Sequence, residues 1–267
     1  MGDKPYYLAY EHRYQKAHEA GIEWWGHTPE DNVLAAALTE WVDNHGLRGK
    51  KVIEFACGEG AAGIILARLG CVYHGIDIAP SAVEKTRARL APYHNASVSL
   101  LDMTRQCVSG TFDAALDMMG FHMLILDADR AAYLRNAFAC LRSGAPMLFF
   151  RESYREDASD AHVETMEQWV AMTGQDYVTP MARTGQTRTG QEVELSIPLI
   201  PARARSKSGY EHELANAGFA FDEGGSNSPF APPRKRRLTP SFRRFLERNR
   251  QVRVFFCHTC HRQNKMD

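Results

Sequence analysis

Residues 51–63, Lys51-Val52-Ile53-Glu54-Phe55-Ala56-Cys57-Gly58-Glu59-Gly60-Ala61-Ala62-Gly63, constrain the fold of this chain more than any other stretch. A β-branched run ends at an acid, passes through a glycine-rich turn and opens into the apolar segment Ile64-Ile65-Leu66-Ala67-Arg68-Leu69. Glycines let the backbone turn sharply and lie close to a ligand that a β-carbon would strike. The helix that follows aims unpaired N–H groups at the same place, so an anionic group is favoured there. Strand, turn and helix in this order predict an α/β chain with a ligand at the strand end.

Gly58, Gly60 and Gly63 spell the dinucleotide fingerprint G-x-G-x-x-G. The acid argues against a dinucleotide, because a carboxylate beside the helix terminus repels a pyrophosphate. Glu54 stands four residues before Gly58. A carboxylate there suits a ligand carrying a cationic amine beside a carboxylate, as in an amino-acid moiety. S-adenosylmethionine has that group and NAD does not, which sets aside an NAD-dependent oxidoreductase.

The motif Glu54-Phe55-Ala56-Cys57-Gly58-Glu59-Gly60 resembles the first motif of class I S-adenosylmethionine-dependent methyltransferases, acid-x-Gly-x-Gly-x-Gly. Ala56 stands where the family has glycine. The resemblance runs in order to about Phe150 and more weakly to the C-terminus. It implies a doubly wound, Rossmann-like sheet of seven strands, mostly parallel, with an antiparallel last strand. It also implies one domain over 1–267, with an N-terminal lid over 1–30 and an insertion at 157–208 that shapes the acceptor pocket.

Several residues follow as expected cofactor contacts. Cys71 to Asp77 reads as the second strand, and an acid at its tip accepts hydrogen bonds from ribose hydroxyls. Ile78 follows it. Val98 to Met103 reads as the third strand end, where by resemblance Asp102 accepts from the adenine amino group and Met103 packs on the ring. Glu54 is expected to hold the methionine amine through the turn and water, with Ala56 and Gly58 forming the turn. Phe112 to Leu124 is the fourth strand and the loop after it. In a doubly wound sheet the first and fourth strands flank the ligand crevice, so Asp117 to His122 are expected to face the transferring methyl group.

His122 titrates near neutrality and is the candidate general base; it equally suits a polar residue satisfied at a loop edge. Methyl transfer from a sulfonium is a direct displacement, and positioning with desolvation can suffice without any base. The loop lacks the Asn/Asp-Pro-Pro-aromatic signature of nucleic-acid amino methyltransferases, which disfavours base amines as acceptors.

The N-terminal stretch holds Tyr6, Tyr7, Tyr10, Tyr14, Trp24, Trp25 and three histidines. Residues 6–20 read as a helix whose aromatic stripe packs on the domain or closes as a lid over the ligand, excluding water. Tyr14 and Trp25 are the lid residues expected to touch the cofactor. Thr28 is the expected cap of the next helix. Helices are expected at 128–141 and 210–217, and strands at 146–150, 219–221 and 251–257. Arg151, Glu152 and Tyr154 are expected to emerge over the acceptor side, where Arg151 and Glu152 either orient a polar substrate or form a surface pair.

Hydrophobic residues make up 44% and charged residues 24%, with zero formal net charge, so nothing pulls the whole chain toward nucleic acid or membrane. No run approaches the length of a membrane span, and the N-terminus lacks the apolar core of a signal peptide. The cysteines at 57, 71, 107, 140, 257 and 260 form no disulfide framework, so a reducing cytoplasm is expected. The Arg-rich segment 234–250 suits RNA phosphates or a solvated face. Cys257-His258-Thr259-Cys260-His261 fits a haem-attachment pattern, yet reads better as a last strand and its end, without metal. The expected function is transfer of a methyl group from S-adenosylmethionine to N, O or S of a small-molecule acceptor. The rivals are an RNA or protein methyltransferase and a non-catalytic cofactor-binding partner subunit.

Overall fold

The computed structural model describes residues 5–152, 154–187, 189–221 and 252–257. The Arg-rich segment 234–250 and residues 258–261 lie outside them.

At the centre is β1 (Lys51–Phe55), whose residues Val52 to Phe55 are all fully buried. A parallel strand covered on both faces reads as a continuous apolar run, which is why β1 shows no alternation. It pairs in parallel with β2 (Val72–Asp77) on one side and β4 (Ala114–Met118) on the other. Outward lie β3 (Ala96–Leu100) and β5 (Pro146–Phe150), giving the order 3-2-1-4-5, all parallel. The helices α3 (Ala61–Arg68), α4 (Pro80–Leu90) and α5 (Asp127–Ala139) are the crossovers.

Alternate residues of each strand feed two cores. Ile53, Phe55, Met147 and Phe149 pack with Tyr133 and Leu134 of α5 and with Tyr210 and Leu214 of α7 (Lys207–Asn216). Val52, Leu116, Leu148 and Phe150 pack with α3 and with Leu34, Leu38 and Trp41 of α2 (Asn32–His45). The cap of α2 is Asp31, not the expected Thr28: its side chain accepts from the N–H groups of Val33 and Leu34. The Thr28 hydroxyl instead accepts from the Glu30 N–H, one turn too early.

Beyond β5, the sheet continues through β9 (Val252–Cys257) to β8 (Phe219–Phe221). Here an expectation is corrected: β9 runs parallel to both β5 and β8, not antiparallel. About thirty residues, 222–251, separate β8 from β9, enough for the long crossover that a parallel pair requires.

The expected insertion holds α6 (Met166–Thr173) and a two-stranded antiparallel hairpin, β6 (Pro180–Gln186) with β7 (Glu192–Pro198). The helix α6 is capped at its start by Thr165 and Gln168 in a reciprocal box. The inner face of the hairpin, Leu195 and Ile197, packs on Ala17 of α1 (Ala9–Glu19) and on Ile22. Among the described residues no helix is long and apolar enough to cross a membrane.

Candidate active site

The carboxyl ends of β1 to β5 open into a cavity of about 1010 Å³, roofed by α1, residues 22–27 and the hairpin. Tyr14, Trp25, Ala56, Gly58, Asp77, Ile78, Asp102 and Met103 all line it. Three expected residues, Glu54, Asp117 and His122, do not.

The glycine-rich turn is held from behind. Asp77 takes the Gly58 N–H on Oδ2 at 2.8 Å and the Ala79 N–H on Oδ1 at 2.9 Å. Burial raises its pKa while those donors oppose the shift. Gly58 has φ 53°, and a β-carbon there would lie 2.8 Å from the Tyr14 hydroxyl. So α1 lies directly on the turn, and glycine is required for both reasons.

Ala56 occupies the left-handed region too, at φ 51°. That conformation explains why glycine is the family's residue at this position. Met119 at φ 64° and Arg151 at φ 58° are the other non-glycine residues of this kind among the described residues. All three stand just past β1, β4 and β5, and all three line the cavity. Strain of about 1–3 kcal/mol per residue gathered at strand ends around one cavity is the pattern of a functional site.

Glu54 sits beneath the turn, fully buried, and takes the Tyr73 hydroxyl on Oε2 at 2.6 Å. Its Oε1 has no hydrogen-bond partner among the described residues. Burial pushes its pKa up to about 8.

Asp117 does not line the cavity but fastens the loop after β4. Its Oδ1 accepts from the N–H groups of Gly120 (2.7 Å) and Phe121 (3.1 Å), and Oδ2 from the Tyr133 hydroxyl (2.6 Å). Burial pushes its pKa up to about 7.

His122 is also turned away. Phe121 and His122 share a 3₁₀ turn, so their side chains diverge by about 120°. Phe121 goes into an aromatic cluster with Tyr133, Phe149 and Tyr210, with the Arg130 guanidinium 3.8 Å over its ring. That leaves the imidazole facing Glu152, with Nδ1 2.7 Å from Oε2. Burial works against the imidazolium, but the Glu152 carboxylate outweighs it and raises the His122 pKa. Glu152 in turn takes the Tyr210 hydroxyl on Oε1 at 2.8 Å.

The histidine that does line the cavity is His27, which sequence reasoning passed over. Its Nδ1 is 3.1 Å from Asp31 Oδ2, and Arg151 Nη1 approaches the ring nitrogens to 3.0 Å. Burial, joined by the Arg151 charge, lowers its pKa, so it is neutral at neutral pH. No motif marked it; the signal available was its place beside the Trp24-Trp25 pair. Arg151 is thus tied to His27 and Asp31 at the cavity wall.

Glu59, in the middle of the glycine-rich turn, was also missed. Oε1 meets His18 Nε2 at 2.9 Å and Oε2 accepts the Trp25 N–H at 2.5 Å, so it ties the turn to α1 and to the loop after it. Asp102 accepts from the Tyr7 hydroxyl (2.9 Å) and from the N–H and hydroxyl of Thr104 (2.9 and 2.7 Å), in a turn after β3 instead of on the strand. Tyr6 reaches across to the Ile125 N–H. The N-terminal segment is therefore stitched over the crevice. Among the described residues no group of three or more His, Cys, Asp or Glu could hold a metal ion.

A family model described as "Methyltransferase domain" matches residues 52–144. A ribosomal protein L11 methyltransferase of Aeromonas hydrophila is 42% identical over 53 residues, 20% of this chain and 18% of that protein. A ubiquinone biosynthesis O-methyltransferase of Aromatoleum aromaticum is 33% identical over 93 residues, 31% of this chain and 40% of that one. The chain thus spans less than half the length of either relative. Among solved structures, the CcbJ methyltransferase of Streptomyces caelestis aligns with TM-score 0.52 at 16% identity, over 81% of this chain and 88% of that one. An S-adenosylmethionine-dependent methyltransferase from Clostridium acetobutylicum aligns with TM-score 0.50 at 12% identity, over 79% and 87%. At such identity the likeness is one of fold. Matched domain and sheet order agree: residues 52–144 match a methyltransferase domain and lie in a parallel sheet of order 3-2-1-4-5.

Proposed function

We propose that this protein is an enzyme that binds S-adenosylmethionine and methylates N, O or S of a small-molecule acceptor. The observation that carries the reading is the convergence of Ala56, Gly58, Asp77 and Asp102 in one cavity, beneath Tyr14 and Trp25. The residues fit the cofactor. Gly58 gives a bare backbone, and Asp77 and Asp102, both in the lining, keep unused lone pairs beside their protein partners. Beneath the turn, Glu54 offers an unpaired carboxyl oxygen.

When bound, the sulfonium supplies an activated methyl group for direct displacement. The chain's own residues do the rest. Asp77 and Gly58 orient the ribose end, Asp102 and Met103 the base, and the roof formed by α1 excludes water. Where the acceptor must lose a proton, the neutral His27 imidazole, held by Asp31, can take it once Arg151 releases the ring nitrogen it approaches at 3.0 Å. His122 is committed to Glu152 and positions that side chain. The hairpin residues Arg183 to Gln186 line the outer cavity and support an acceptor pocket built by the insertion. Free Cys57, Cys71, Cys107 and Cys140 support a reducing, cytoplasmic setting.

The test is calorimetric titration with S-adenosylhomocysteine and with NADH, on wild type and Asp77→Ala. Micromolar binding of the homocysteine product, lost in the variant, supports the reading. Binding of NADH alone overturns it.

A further inference from the structure

Among the described residues the buried arginines have acceptors. Arg130 forks onto Glu213 with Nε 2.6 Å from Oε1 and Nη2 2.8 Å from Oε2. Arg203 donates to the Ile125 and Ala161 carbonyls, Arg205 bonds Asp127, and Arg151 meets Asp31. Arg13 and Arg183 do not follow this pattern. Both line the cavity, and among the described residues neither donates a hydrogen bond nor forms an ion pair through its guanidinium. The Nε of Arg13 is buried without any partner.

Both side chains are held in place by other means. Tyr10, Arg13 and Tyr14 fall on one face of α1 at i, i+3 and i+4, turned to the cavity. The Arg13 guanidinium lies 4.3 Å from the centre of the Trp25 ring, so stacking fixes its plane and leaves its N–H edge free. Arg183 is half-buried on the inner face of β6, the face whose Gly185 touches Ile22. The two cations are near enough that Arg183 works against the charge on Arg13, as burial does. Two unpaired like charges beside a partly apolar wall are costly unless an anion joins them.

The acids of the cavity do not fill that role. Glu59 is used by His18 and Trp25, Asp77 by the turn, Asp102 by Tyr7, and Glu152 by His122 and Tyr210. Glu192 stands opposite Gln186 at the other end of the hairpin and pairs with neither arginine.

We propose that Arg13 and Arg183 form a clamp for an anionic group, a carboxylate or phosphate, carried by the methyl acceptor. This rests on the methyltransferase reading above for the word acceptor; the clamp itself does not. One arginine comes from the roof helix and the other from the hairpin, so the clamp spans the two elements that cover the cavity. Paired guanidinium donors bond two oxygens of either anion at once.

The experiment titrates the full chain, saturated with S-adenosylhomocysteine, with 4-fluorobenzoate, 4-fluorophenyl phosphate and neutral 4-fluorobenzamide, followed by fluorine NMR. An anion is expected to bind about tenfold more tightly than the amide, a margin that Arg183→Gln removes and Arg183→Lys partly keeps. Affinity for S-adenosylhomocysteine should stay within about twofold in Arg183→Gln, since Arg183 stands on the hairpin and not on the turn or strand ends given to the cofactor. Equal binding of anion and amide by wild type overturns the proposal. So does a preference that survives in both Arg13→Gln and Arg183→Gln. A loss of about tenfold in S-adenosylhomocysteine affinity, with fluorobenzoate unaffected, assigns the arginines to the cofactor's own carboxylate and also overturns it. If wild type binds no S-adenosylhomocysteine, the methyltransferase reading falls, and the same titration without it still decides the clamp.

Discussion

His122 and Glu152 meet with Nδ1 2.7 Å from Oε2 behind the cavity wall, while His27 faces the cavity and is held by Asp31. The two histidines therefore titrate in opposite directions from the ordinary value of about 6.5. Long-range proton–nitrogen spectra at pH 6.5 should show His122 mostly as imidazolium and His27 mostly neutral. The reverse pattern would restore His122 as the candidate base.

The same pair should shape stability against pH. His122 is raised on folding, so its contribution is full below the ordinary imidazole value and is lost as pH rises through the raised one. Glu152 is lowered, because His122 and Tyr210 together outweigh its burial, so its contribution is lost as pH falls through that lowered value. His122→Ala should cost about 3 kcal/mol near pH 6, where the pair is fully charged, and less at pH 9. Denaturant unfolding at the two pH values measures it.

Ala56 and Gly120 give a third expectation. A β-carbon on Gly120 would lie 2.7 Å from that of Ala56, which itself sits at φ 51°. Ala56→Gly should stabilise by up to about 1 kcal/mol by removing left-handed strain. Gly120→Ala should destabilise, and much less so in the Ala56→Gly background. A double-mutant cycle by thermal unfolding reads the coupling; additive effects would mean the two loops do not press on each other.

Glu54 supplies a fourth. Its folded pKa of about 8 lies far above the ordinary carboxyl value, so burial destabilises the fold progressively as pH rises from about 4.5 through 8. Glu54→Gln should raise the melting temperature at pH 8.5 and change it little at pH 4.5. If the unpaired oxygen meets the cofactor's amine through water, binding S-adenosylhomocysteine at pH 7 lowers that pKa and releases a proton. Calorimetry in buffers of different ionisation heat should show the release in wild type and not in Glu54→Gln.

What could be read in the sequence was local chemistry. The run from Val52 to Gly60 needs no distant partner to be recognised, Asp77 follows from where a strand stops, and Asp102 came from the resemblance alone. Side-chain direction in irregular loops was not legible. Whether Phe121 or His122 enters the core is decided by the aromatic cluster around Phe149, assembled from four elements. The direction of β9 escaped for another reason: Val252–Cys257 is a short apolar run, and such a strand reads alike in either orientation. The hairpin was hidden because Pro180 and Gly185 break strand propensity, and its inner face became apolar only where it meets Ala17 and Ile22. Arg13 and His27 carried no motif, because their roles come from what is absent around one and beside the other.

That contact of Ala17 and Ile22 with Leu195 and Ile197 joins segments some 175 residues apart in the chain, around a sheet that needs neither to form. Closing so long a loop is costly and slow, so the roof docks after the central strands have condensed. On that account, substitutions at Ala17 or Leu195 should leave the refolding rate nearly unchanged and quicken local opening instead. Amide exchange along α1 and β7 would then run ahead of exchange in β1 and β4, and ligand entry would draw on that same early opening.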